Sequence, residues 1–419
     1  MNTTAFHNAD ILIPNKDLNM EKWAVIACDQ YTSDPAYWDG VYETVGSSPS
    51  SLNLILPEIY LEDEDVSDRI ENIHKCMDKY ISDGIFTEYK NSMIYVERVQ
   101  SNGILRKGII GAIDLEEYDF SKGSTSQVRA TEATVVERIP PRIKVRQGAP
   151  LELPHIMILI DDESDSVFSA IDKNKLEKLY DTRLMQNGGE ISGYLIDDDT
   201  QELIDRALTA LSDPEAFSKK YGMENTPVLL YAMGDGNHSL ATAKQFYEQL
   251  KKSNPDKDFS NHPARYALAE IVNLHSEALQ FEAIHRIVTD VNVTELLTDL
   301  SEKLGLSDNG VQKITIVKNG VHRDAYINNP LSNLAVGSLQ TALDEILFEI
   351  GGKVDYIHGS DVIDTLSKKE NSVGFILPDM DKSELFPTVI KDGALPRKTF
   401  SMGHADDKRF YIEARKITE

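Results

Sequence analysis

Residues 232–244 read AMGDGNHSLATAK, and the apolar run PVLLY that precedes them ends at Tyr231. A buried strand that gives way to two glycines, and then to an Asn-His-Ser helix start, is a turn that a ligand can approach closely. Gly234 and Gly236 let the backbone take positive φ and clear side chains from the turn. Asn237 or Ser239 is expected to cap the helix, leaving its first backbone N–H groups facing outward at positive potential. Such a helix start attracts phosphate. Asp235 and His238 project beside that anion site: Asp235 can hold a metal ion or take a proton, and His238 can donate to phosphate. The Walker pattern GxxxxGK[ST] is absent, and Ser239 stands where GxGxxG requires its third glycine. A tight turn with a good cap accounts for the same residues without any ligand.

A second stretch, RATEATVVERIPPRIKVR at 129–146, sets five bases (Arg129, Arg138, Arg142, Lys144, Arg146) against Glu132 and Glu137. A basic patch in so acidic a chain suits a compact, highly charged anion such as phosphate or pyrophosphate. The commoner meaning of a charge run is a solvated face. His285-Arg286 and Arg397-Lys398 adjoin apolar segments and are expected to approach the same cleft.

The elements that must position these residues alternate in type. WAVIAC at 23–28 reads as a buried strand. DPAYWDGVYETV at 34–45 reads as a helix with Asp34 as cap and Pro35 in its first turn. The segment 64–84 places Val66, Ile70, Ile73, Met77 and Ile81 at helical spacing and stops at Gly84. SMIYVERV and RKGIIGAID form a hairpin, HIMILI a strand, 174–181 a helix, and RLMQNG with EISGYLID a strand pair. After helices over 199–221 comes the quoted motif. A hairpin over Asn319-Gly320, a helix at 338–350, KVDYIHG, a short helix, SVGFILP and a final strand RFYIEAR complete a mixed α/β (α+β) pattern. Pattern changes near 125 and 290 divide the chain into an N-terminal α/β region (1–125), a phosphate-binding core (126–290) and a C-terminal α/β region (291–419).

The 419 residues can bury a large core without disulfides or metals. A formal charge of −26 repels polyanions, so nucleic acid and anionic membrane are poor partners and a small-molecule substrate is expected. No stretch approaches the roughly 20 apolar residues of a membrane span. The N-terminus lacks the pattern of a secretory signal, and Cys28 and Cys76 read as reduced core residues, so a cytoplasmic location is expected. There is no HExxH, Cys/His cluster or GxSxG elbow, and DDESDS at 161–166 reads as a solvated loop.

R-x-x-E-x-T at 129–134, the Asp161-Asp162 strand end, DGNH at 235–238, FEAIHRIV at 281–288 and LPRKTF at 395–400 together resemble domain-of-unknown-function family 1015. WAVIACDQYTSDPAYW at 23–38 is similar to the N-terminal block of its bacterial branch. The resemblance spans essentially the whole chain. It implies a ParB/sulfiredoxin-like core elaborated by N- and C-terminal α/β regions, and kinship with kinases for free serine that use ADP or pyrophosphate. Asp235, Gly236 and His238 match the Asp, Gly and second His of the family's DGHHR motif, and Glu132 matches the acid of its R-x-H-E-x-T block. Asn237 replaces a histidine and Ser239 an arginine, which favours a smaller donor or a cation from elsewhere.

The reading that follows is a phosphotransferase that converts free L-serine to O-phosphoserine, or the reverse, with pyrophosphate or ADP as donor. Glu132 or Asp235 would serve as base and His238 as a catalytic donor, with Mg²⁺ on Asp235 and no organic cofactor. Gly234, Gly236, Asn237, Ser239, Arg129, Arg138, Arg142, Arg286, Arg397 and Lys398 would bind phosphate, and a homodimer is an expectation. A non-catalytic sensor of a phosphorylated metabolite and a phosphoester hydrolase are the competing readings.

Overall fold

Along Leu105–Asp114, Ile109 and Ile113 enter one apolar cluster while Ile110 and Ala112 enter another. A strand with both faces buried belongs at the centre of a sheet. The computed structural model, which describes residues 4–132, 139–153, 155–396 and 398–419, puts it there. The strand pairs antiparallel with Ile94–Val99 on one side and Tyr266–Asn273 on the other. Tyr266–Asn273 runs parallel to Met157–Ile160, which pairs antiparallel with Tyr231–Asp235. Val128–Arg129 and Tyr118–Asp119 close that edge, and Glu190–Leu195 with Glu177–Arg183 closes the other.

Chain contacts divide the protein into two compact units, where the sequence pattern suggested three regions. One holds the described residues of 1–130, 134–279 and 404–419, including this ten-stranded sheet. The other holds those of 131–133 and 280–403. Its five-stranded antiparallel sheet takes the order Val321–Ile327, Gln312–Lys318, Val373–Ile376, His285–Thr289, Lys353–Ile357. The expected hairpin turn over Asn319-Gly320 has φ of 52° and 72°, as a two-residue turn of mirror type requires.

Several local readings hold. Asp34 caps Pro35–Val45 by accepting from the Tyr37 N–H, and Val66–Ser82 buries Ile73, Met77 and Tyr80. Others need correction. The stretch expected to be a helix at 174–181 is a single 3₁₀ turn, Lys173–Lys175, followed by the strand Glu177–Arg183, because pairing with Glu190–Leu195 outweighs local propensity. WAVIAC holds only a two-residue strand, Val25–Ile26, and its Trp23 ends a short helix, Met20–Trp23. DDESDS is a loop with Glu163 and Ser164 exposed, but Asp162 within it is fully buried, and its carboxylate accepts from the Ser164 and Ser166 hydroxyls and the Val167 N–H. Among the described residues no helix is long and apolar enough to cross a membrane.

The C-terminal segment 404–419 returns to the first unit and is fastened by buried charge. Arg98 donates to the carbonyls of Gly188, Asp406 and Lys408, and Arg106 to that of Asp407. Arg409 meets Glu413 at 2.5 Å and Glu270 at 3.7 Å, and Arg415 meets Glu152 at 2.8 Å. Glu270 fits because Gly108 has no side chain; a Cβ there would lie 2.2 Å from Glu270 Oε1. Gly108→Ala is therefore expected to lower the unfolding free energy by about 2 kcal/mol. Urea melts measure the loss, with faster proteolysis inside 404–419 as a second readout. An unchanged melt would show that Glu270 can move aside at no cost.

Candidate functional site

The quoted motif folds as strand, turn and helix. Tyr231–Asp235 runs between Met157–Ile160 and Val128–Arg129. Met157 opposes Asp235 while Ile158 opposes Met233, so Gly234 is the extra residue of a β-bulge that aims Asp235. Gly236 then takes φ 78°, ψ 26°, and a Cβ on it would sit 3.1 Å from Ile156 Cα. Both facts favour glycine there. The helix Asn237–Ser253 starts without a side-chain cap: Gly236 is the N-cap, in place of the expected Asn237 or Ser239. Its first internal bond runs from Leu240 N to Gly236 O, so the amides of Asn237, His238 and Ser239 form the turn that points out of the helix. Gly234 itself is not among the positive-φ glycines; its contribution is the bulge.

Around this helix start the fold gathers groups that are far apart in sequence. Asp235 Oδ1 accepts from the Gly236 N–H at 2.9 Å, and Oδ2 lies 3.2 Å from Lys408 Nζ. Ser239 Oγ is 3.1 Å from His155 Nε2, which also lies 3.5 Å from Asp29 Oδ2. His155 Nδ1 is 2.7 Å from the Tyr411 hydroxyl, and that hydroxyl accepts from the Cys28 N–H at 3.1 Å. A cavity of about 150 Å³ opens beside these residues, with Ser239, His155, Arg142 and Glu58 on its polar wall and Leu56 and Met77 on its apolar one. Arg142 pairs with Glu58, and Arg146 meets Glu152 at 2.6 Å.

His155, Asp29, Tyr411 and Lys408 escaped the sequence reading. His155 opens the strand read as HIMILI, and Asp29 sits inside the quoted N-terminal block, but nothing in their spacing links either to Ser239. The only available signal was a lone histidine at the mouth of an apolar strand.

The remaining basic residues have varied fates. Arg129 is buried and donates to the carbonyls of Ser126 and Pro227, and burial depresses it to about 10; it ties down a loop. Arg142 reaches the cavity. Arg286 belongs to the second unit, where it donates to Gln340 Oε1 and the Ile284 carbonyl and stacks 4.6 Å from the Tyr356 ring centre. Glu132 also belongs to that unit and bridges to Leu395, and Lys398 is exposed there with φ 58°. Arg138 and Arg397 lie outside the described residues.

As a test of fit for Mg²⁺, Asp235 offers a carboxylate. Asn237 Oδ1 is buried with no hydrogen-bond partner among the described groups. Both are hard oxygen donors, and Mg²⁺ is commonly held by one or two such groups plus substrate phosphates. A separate cluster of Asp161, Glu163 and His275 also has metal-like spacing, and like Asp235 it already faces a lysine: Lys220 sits 2.9 Å from Asp161 and 3.4 Å from Glu163. It stands at the opposite end of the strand from Met157, the residue that faces Asp235.

The first unit is thus a mixed α/β body carrying a glycine-capped helix start beside a lysine–aspartate pair and a serine–histidine contact. The chain belongs to the family described as protein of unknown function (DUF1015), whose model matches residues 12–412. Among solved structures, free serine kinase in complex with AMP is similar at 13% identity, over 73% of this chain and 90% of that one, with a TM-score of 0.37. A conserved hypothetical protein from Pyrococcus furiosus matches at 12% identity over 73% and 94% of the two chains, with a TM-score of 0.36. SbnI from Staphylococcus aureus, C-terminally truncated, matches at 9% over 70% and 82%, with a TM-score of 0.36. No curated protein matches the chain.

The electrostatics of His155 can be tested directly. Burial alone would depress it, but the carboxylates of Asp29, Asp235 and Glu58 outweigh burial and hold it above 6.5. Burial pushes Asp29 up, yet His155, Gln30 and Lys408 hold it well below the usual carboxylate range. A raised histidine contributes stability below its unfolded value of about 6.5 and loses it as pH climbs through the folded value. A depressed aspartate contributes above about 3.9 and loses its share as pH falls further. The pair therefore stabilises most between about pH 4 and 6.5. The stability difference between the wild type and His155→Gln is expected to shrink as pH rises from about 6 to 9. Chemical denaturation at several pH values measures it, and a difference that stays constant or grows would contradict the assignment.

Proposed function

We propose that the protein is a phosphotransferase that moves a phosphoryl group from a phosphoanhydride donor to the hydroxyl of a small metabolite. Free L-serine is the acceptor and O-phosphoserine the product in this reading, with pyrophosphate or ADP as donor, and the reverse direction is open to the same site. The observation that carries it is the Gly236-capped helix start, with its outward amides set beside Asp235, Lys408 and the Ser239–His155 contact. Phosphoryl transfer needs positioning and charge neutralisation more than covalent machinery. Helix amides favour an anion at this point, and Lys408 adds a full positive charge. The cavity beside Ser239 offers room for an acceptor of small-metabolite size.

Asp235 and Asn237 would hold Mg²⁺, which supplies charge neutralisation to the donor's phosphate oxygens when bound. Asp235 also orients Lys408, so that the lysine faces the helix start. His238, the second residue of the helix, is the candidate donor to a phosphate oxygen in this reading. Proton removal from the acceptor falls to a residue with basic character; His155 lies at this site, and Glu132, the alternative, belongs to the other unit, so experiment separates the two.

Incubation with serine, threonine and homoserine, each with pyrophosphate, ADP or ATP and Mg²⁺, followed by mass detection of the phosphorylated product, tests the reading. Asp235→Asn keeps size and removes charge, so the fold should survive while turnover falls about 100-fold or more. In the same assay, a loss of that size in Glu132→Gln would give it the base role, and an unchanged rate would leave that role to His155. Phosphate release without a phosphorylated product would mark a hydrolase instead, and saturable binding of phosphoserine without turnover would mark a sensor.

A further inference from the structure

Resting on the phosphotransferase reading, we propose that Ser239 is a nucleophile that carries the phosphoryl group as a covalent phosphoserine between donor and acceptor, with His155 as its base. Ser239 Oγ lies 3.1 Å from His155 Nε2, within the reach that a nucleophile and base require. The ring is held on its other side, where Nδ1 meets the Tyr411 hydroxyl at 2.7 Å, and Tyr411 is itself fixed by the Cys28 N–H. His155 is 5% exposed and Tyr411 2%, so the ring has little freedom to turn away. With its proton on Nδ1 and directed at Tyr411, the ring presents the Nε2 lone pair to the serine hydroxyl. Asp29, 3.5 Å from Nε2, stabilises the imidazolium once the proton has arrived.

The position of the serine matters as much as its partner. Ser239 is the third residue of a 17-residue helix and lines the cavity, so its hydroxyl stands beside the amides that would hold the phosphoryl oxygens. A half-buried serine tied to histidine for packing alone would need neither the helix start without a side-chain cap nor the cavity.

The steps balance. In the first, Ser239 Oγ forms a bond to the donor's terminal phosphorus as the phosphoanhydride P–O bond breaks. The serine proton passes to His155 Nε2 and then to the departing phosphate. In the second, the acceptor hydroxyl attacks the same phosphorus and the Oγ–P bond breaks. The acceptor's proton passes through His155 to the leaving Ser239 oxygen. Asp29 and Tyr411 act as positioning residues.

Intact-protein mass spectrometry of the full chain, incubated with pyrophosphate or ATP and Mg²⁺ but no acceptor, provides the test. The expected result is a gain of one phosphoryl group that survives acid, maps to the peptide holding Ser239 and is discharged by added serine. Ser239→Ala should abolish the adduct and lower transfer by about 100-fold or more, with its fold checked by circular dichroism. Ser239→Cys, which keeps a nucleophile of similar size, should retain an adduct. Asp29→Asn should lower the rate of adduct formation and move its pH profile, which a purely structural role would not do. Transfer to serine with no adduct, or in Ser239→Ala at near the wild-type rate, overturns the covalent step and leaves the phosphotransferase standing. An acid-labile adduct places the phosphoryl on histidine and also overturns it. Absence of both transfer and adduct with every donor removes the proposal together with the function it rests on.

Discussion

Burial of five charges inside the first unit is the constraint from which the site follows. Arg98, Arg106, Glu270, Arg409 and Glu413 are each no more than 3% exposed. Taking such groups out of water costs several kcal/mol per ion unless partners surround them. Here compensation is incomplete: Arg98 Nε and Arg409 Nη1 are buried with no hydrogen-bond partner among the described residues. As a device for stability the cluster is therefore a poor one. What it does achieve is placement. Arg98 and Arg106 hold the carbonyls of residues 406–408, Arg409 is gripped by Glu413 and Glu270, and Lys408 and Tyr411 are thereby presented to Asp235 and His155. An apolar segment of the same length could slide along the sheet; one fixed by directional bonds to carbonyls cannot.

The local parts of this arrangement were legible in the sequence because their causes are local. Gly236 must be glycine for φ 78° and for the approach of Ile156, and an apolar strand before it and an amphipathic helix after it follow from a few adjacent residues. The hairpin over Asn319-Gly320 and the helix capped by Asp34 belong to the same class. Reading failed where pairing or burial decided the outcome. Glu177–Arg183 is a strand because Glu190–Leu195 lies beside it, and Asp162 is buried because two serines and a backbone amide satisfy its carboxylate. The basic stretch misled in another way. Arg129 and Arg142 are both arginines near the motif, but Arg129 satisfies two backbone carbonyls while Arg142 faces the cavity, and residue type alone does not separate those uses. His155, Asp29 and Tyr411 converge only through sheet order and the return of the C-terminus, so no window of sequence contains them.

Position 239 shows how that long-range assembly changes what a local motif means. An arginine here, as in the DGHHR motif that this stretch resembles, would set a permanent cation on the first turn of the helix, beside the outward amides. Ser239 brings no charge, and its hydroxyl is engaged by His155, whose own charge depends on Asp29. The nearby permanent cations are each already matched: Lys408 by Asp235, Arg142 by Glu58 and Arg146 by Glu152. In a chain of net charge −26 this makes the site an island of balanced pairs. In the proposed reaction a phosphoanhydride would compete with carboxylates for every one of those cations. The amides at the helix start precede the first internal bond of the helix, so in the proposed transfer they would set where the phosphoryl group comes to rest. That rest point lies beside a serine hydroxyl held against a histidine, and a hydroxyl so placed can serve as a ligand or as an attacking group, whereas the guanidinium it replaces could serve only as a ligand.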